Sequence, residues 1–120
     1  MGSVMFVDET TGGGRSDGWE MEIAEERLAL RELIRRRIFQ EVAESAARGS
    51  GAGKHRLVRP AAPGGRVDPE AQTALALKAF ERNGFLVLVG DRQITGLDEE
   101  MDLPLGTEVT FLKLVALVGG

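Results

Sequence analysis

The residues best suited to chemistry are the last two of the run Leu117-Val118-Gly119-Gly120. Two residues without Cβ accept dihedrals closed to other side chains, and they pass a narrow channel that any larger residue would block. They also leave the carbonyl of Gly120 open to attack. The chemistry on offer is that of an unhindered α-carboxylate. With 16 glycines among 120 residues, a terminal pair arises by chance in about 2% of arrangements, judged against this chain's own Gly-rich composition. Chance and truncation are the competing explanations, and the pair is singled out against them.

Little else in the chain has catalytic character. There is no cysteine, which excludes disulfides, thiolate metal sites and a thiol nucleophile. The single histidine, His55, has no triad partners and makes no metal site alone. Gly49-Ser50-Gly51-Ala52-Gly53-Lys54 looks like a phosphate-binding loop, but Arg48 stands where that motif needs its first glycine. His55 likewise replaces its Ser or Thr. Asp98, Glu99, Glu100 and Asp102 lack the ligand spacing and central glycine of a calcium loop. Paired carboxylates working as acid and base need an enclosing pocket, which a chain of this length hardly builds. The expectation is therefore a protein that is not itself an enzyme, with no catalytic residue, no metal site and no bound cofactor.

Composition points the same way. Apolar residues make up 42% and charged residues 28% of the chain, the balance of an ordinary globular protein. A net charge of −4 gives no nucleic-acid signature. No apolar stretch is long enough to span a bilayer, and no secretory leader is evident, so the expected location is the cytoplasm.

The elements that must position the diglycine are legible from periodicity. Residues 4–7, Val-Met-Phe-Val, form a short strand that ends in Thr10-Thr11-Gly12-Gly13-Gly14. Trp19, Met21 and Ile23 then alternate with Glu20, Glu22 and Ala24, a second strand with one buried face that completes a hairpin. From about Ala29 the period becomes helical. Leu30, Leu33, Ile34, Ile38, Phe39 and Val42 make an apolar stripe, and Glu32–Arg36 and Arg37–Glu41 sit at i,i+4. The run Arg35-Arg36-Arg37 reads as a solvated helix face. Residues 48–69, rich in Gly, Pro and Arg, read as a mobile basic insertion after this helix. A second, shorter helix starts near Pro69 and stops at Asn83-Gly84. Phe85-Leu86-Val87-Leu88-Val89 is a buried strand, Gly90-Asp91 a turn, and Arg92-Gln93-Ile94-Thr95 a short edge strand. Residues 97–105 read as an acidic connector, and a last strand begins at Thr107.

Strand, strand, helix, strand, strand, strand resembles the β-grasp order that ubiquitin shares with the sulfur carriers of thiamine and molybdopterin synthesis. Residues 85–94 look like ubiquitin's third strand, glycine turn and fourth strand. Leu105-Gly106-Thr107-Glu108-Val109-Thr110-Phe111 is similar to the loop and last strand of the sulfur carriers. Both families end in the diglycine. The resemblance implies an α+β, β-grasp (ubiquitin-like) fold over residues 1–118 as one domain, with the insertion outside the minimal fold. It further implies that Gly120, with Gly119 before it, is adenylated by an E1-like enzyme using ATP and joined to a target protein. An E2-like conjugating enzyme and a deconjugating protease are the further partners implied. In the sulfur-carrier alternative the adenylate becomes a thiocarboxylate for cofactor biosynthesis or tRNA thiolation. A non-covalent interaction module with an incidental diglycine is the third reading.

Leu114-Val115-Ala116-Leu117-Val118 contains no polar residue and no alternation, so one buried face does not explain it. Either it is covered on both faces, or Leu114, Val115, Leu117 and Val118 dock into the activating enzyme or another subunit by β-addition. This segment, with the diglycine, makes an apolar tail over residues 114–120.

Overall fold

Alternation and register explain the first sheet. The computed structural model describes residues 2–15, 18–48 and 68–114. Within them β1 (Gly2–Thr10) pairs antiparallel with β2 (Trp19–Ile23), setting Val4 opposite Met21 and Phe6 opposite Trp19. The Phe6 and Trp19 rings lie 4.9 Å apart between centroids. The Phe85–Val89 run is β4, and it turns through Gly90, at φ 60°, into β5 (Arg92–Ile94). A two-residue turn of this hand needs positive φ, which glycine supplies without strain. The last strand, β7 (Thr107–Lys113), lies between β1 and β4, parallel to the first and antiparallel to the second. The sheet order is β2-β1-β7-β4-β5, a mixed five-stranded sheet in an α+β structure.

The helical stripe becomes α1 (Leu30–Arg48). Leu30, Leu33, Ile34 and Ile38 are fully buried against Phe6, Val87, Val109 and Phe111 of the sheet. Burying one such side chain is worth about 1.5–3 kcal/mol, so this contact dominates the core. Phe39 lies outside that core and is half-buried, with the Arg35 guanidinium 4.5 Å from its ring centroid. The second helix, α2 (Pro69–Glu81), has Asp68 as its N-cap, whose Oδ1 accepts from the Glu70 N–H at 3.0 Å. It ends where Asn83 turns left-handed at φ 62° and the Gly84 N–H donates to the Ala79 carbonyl at 2.7 Å. A Cβ on Gly84 would lie 3.1 Å from that same carbonyl oxygen, which accounts for glycine there. Ala76 and Phe80 carry α2 into the core.

Residues 97–105 are not a plain connector. They contain β6 (Glu100–Asp102), which pairs with β3 (Arg27–Ala29) in a second, two-stranded sheet. Each of these three-residue strands turns one side chain inward, Leu28 opposite Met101, so neither shows a readable period. The same stretch closes the start of α1. Its N-terminal N–H groups, which have no partner within a helix, donate from Leu30 to Glu99 O at 3.0 Å and from Arg31 to Leu97 O at 2.8 Å. Most of the expected insertion, residues 49–67, lies outside the described residues.

Candidate functional site: the end of the last strand and its charge cluster

The tail follows in sequence from the central strand of the sheet. At the end of β7, Lys113 stands between Thr10 of β1 and Phe85 of β4. One residue on, the Leu114 N–H donates to the Gly84 carbonyl at 3.3 Å, and the Leu114 side chain is 43% exposed. Leu114 is the only sequence-predicted site residue within the described part. Val115, Leu117, Val118, Gly119 and Gly120 lie outside it.

Near the end of β7 sits a group of charges that sequence reasoning missed. Arg37 was expected on a solvated face with Arg35 and Arg36, yet it is only 1% exposed. Its two terminal nitrogens both donate to Asp8, one of them to Oδ2 at 2.8 Å. Its Nε lies 3.5 Å from Glu41, so the i,i+4 pair expected from the spacing does form. The guanidinium carbon is 4.4 Å from the centroid of Phe111 and 5.7 Å from that of Trp19, within the range of cation–π attraction. Arg suits such a place because its planar fork meets a carboxylate with two bonds while its faces stack on rings.

The signal for this burial was present in the spacing. Arg37 follows Leu33 by four and Ile34 by three, which places it on the apolar stripe, not opposite it. Asp8 continues the inward alternation of Val4 and Phe6 along β1. Lys113 joins the group from β7. Burial pushes its ammonium below the ordinary lysine value; Asp8 opposes the shift, Arg37 adds to it and Glu41 opposes it. Arg36, by contrast, does face outward, shared between Glu25 and Glu32, the latter at 3.2 Å.

The cluster ties α1, β1 and the end of β7 together, and its chemistry is positional. Its carboxylates and cations neutralise one another. Among the described residues no group of three or more His, Cys, Asp or Glu is arranged to hold a metal ion, and no helix is long and apolar enough to cross a membrane. A concavity of about 390 Å³ opens where α2, β4 and the segment after β5 meet. No family model, no characterised protein and no solved structure matches this chain.

Proposed function

We propose that the five-stranded sheet with α1 across it is a β-grasp, and that the chain is a ubiquitin-like modifier acting through the Gly120 carboxyl group. The observation that carries this reading is the place of β7. It occupies the centre of the sheet, parallel to β1, with the apolar segment 114–118 and then the diglycine following directly from its end. This matches one helix crossing a small mixed sheet, the arrangement that the resemblance implies. A rigid central strand gives the diglycine a fixed point of departure, and the Arg37 cluster fixes that point further.

In this reading the Gly120 carboxylate oxygen attacks the α-phosphate of ATP in an E1-like partner, and pyrophosphate leaves. An amine or hydroxyl of the target then attacks the Gly120 carbonyl, giving up a proton as AMP departs. Glycine at 119 and 120 keeps the path of both nucleophiles clear. The second helix and the β3–β6 sheet add to the minimal fold, which favours a modifier over the stripped-down sulfur carriers.

The test is ATP–pyrophosphate exchange with an activating fraction enriched from the native host on immobilised protein. Exchange that requires an intact Gly119-Gly120, with a normal melting curve for the tail-deleted chain, supports the proposal. Undiminished exchange by a chain lacking Gly120 contradicts it.

A further inference from the structure

The five-stranded sheet ends in β2 on one side and β5 on the other, and β2 is the longer edge, with 5 residues against 3. Which of its main-chain groups are free follows from the bonds at the end of β1. The Thr11 N–H donates to Lys113 O at 3.0 Å, and the Thr10 N–H to Gly14 O at 2.8 Å. Backbone groups alternate in direction along a strand. Odd-numbered residues of β1 therefore turn theirs toward β7, and even-numbered ones toward β2. Val4 and Phe6 thus form the bonded pairs with Met21 and Trp19. Glu20 and Glu22 turn their N–H and C=O groups away from β1, where no strand lies among the described residues.

Side chains alternate along the same strand. Trp19 and Met21 lie on the α1 side, partly buried against the core, while Glu20 and Glu22 are exposed on the opposite face. Across β1 these glutamates meet only Met5 and Ser3, and neither makes an ion pair among the described residues. An unpaired edge is a template for another strand, and this one sets its requirements position by position. A residue opposite Glu20 or Glu22 would have its Cα about 5.5 Å away and its side chain on the same face. Like charge there is repelled, and Lys or Arg is attracted. A second copy of β2 is excluded on this ground, because antiparallel pairing about Met21 sets Glu20 against Glu22 twice. The position between them faces Met21 beside Trp19 and suits an apolar side chain. The net charge of −4 favours a basic partner at longer range as well.

We propose that the free edge of β2 is a docking site for an extended basic segment of a partner protein. The segment adds antiparallel as a further strand, with the pattern basic–apolar–basic against Glu20, Met21 and Glu22. Its two basic residues exchange main-chain bonds with the glutamates and neutralise their carboxylates, and the apolar residue packs on Met21. The edge is separate from the diglycine, so the proposal stands or falls independently of the modifier reading.

The probe is acetyl-Thr-Lys-Val-Lys-Thr-amide, titrated into the ¹⁵N-labelled full chain. Saturable amide shifts centred on Glu20, Met21 and Glu22 are expected. N-methylation of either lysine, which removes a donor facing β2, should weaken binding about tenfold. The exposed pair of substitutions Glu20→Lys and Glu22→Lys should abolish binding of this probe and admit acetyl-Thr-Glu-Val-Glu-Thr-amide in its place. No shift up to millimolar peptide, equal binding of the N-methylated peptides, or shifts that follow acidic residues over the whole surface would overturn the proposal. A ligand-free measurement gives a second check: the Glu20 and Glu22 amides should exchange with solvent faster than that of Met21. Equal protection of the three would mean that the edge is already paired, by a second copy or by another segment of this chain, and overturns it too.

Discussion

Replacing Arg37 with methionine probes the charge cluster most sharply. Arg37 and Asp8 are 1% and 5% exposed, so the substitution strands the Asp8 carboxylate in a site that water barely reaches. Breaking a buried pair from one side costs about 3–5 kcal/mol. Set against a total stability of about 5–15 kcal/mol for a domain, that is roughly a fifth or more of what holds the fold. With a urea slope of about 2 kcal/mol per molar, the midpoint should fall by about 2 M. The companion change Asp8→Leu should recover much of the loss in the Arg37→Met background, because removing both partners leaves no orphaned charge. Glu41 and Lys113 would then still balance one another. Urea unfolding of the wild type, both single variants and the double variant forms a double-mutant cycle, with an expected coupling of about 2–3 kcal/mol. A loss below about 1 kcal/mol for Arg37→Met, or strictly additive effects, would refute the reasoning.

Lys113 makes stability depend on alkaline pH. Its folded-state pKa is lowered from 10.5 by burial first of all, so between the two values the unfolded chain binds more protons. Stability must then rise with pH through that window. Lys54, Lys78 and the α-amino group titrate at alkaline pH as well, so the reading is a difference: wild type minus Lys113→Met should climb as pH rises toward about 10.5, and a flat difference contradicts it. Asp68→Ala removes the N-cap of α2 and should lower stability by about 1 kcal/mol, as read by thermal unfolding; no change would mean that the cap is replaced. Leu117→Ser tests the apolar tail. If residues 114–118 dock on the activating enzyme, binding should weaken about tenfold to a hundredfold, from the roughly 1.5–3 kcal/mol of one buried apolar side chain. A large loss of melting temperature with unchanged affinity of the folded fraction would rule docking out.

What was legible in the sequence follows how many residues each element devotes to its pattern. The hairpin β1–β2 and the stripe of α1 repeat their period several times, while β4 and β5 are marked by a continuous apolar run and the glycine turn that follows it; each appears in the structure. Asn83-Gly84 marked the end of α2 through backbone geometry alone. The β3–β6 pair was not legible, because one inward residue per strand makes no period. Pairing across more than seventy residues of chain, Leu28 with Met101, also leaves no local trace. Arg37 was misread for a different reason. A run of three arginines invites a solvated reading, and only the partner at Asp8, on another element, turns the middle of the stripe into a place for a cation. Spacing located Arg37 on the buried side; residue type argued the opposite, and tertiary pairing decided.

The central claim, that the Gly120 carboxyl group is the point of covalent attachment, is tested most directly by the intact mass of the protein from its native host. The account predicts a population joined through Gly120 to other proteins, with a Leu-Val-Ala-Leu-Val-Gly-Gly remnant on the acceptor after tryptic cleavage at Lys113. A free carboxylate in every molecule, or oxygen exchanged for sulfur at Gly120 without any protein adduct, would contradict it.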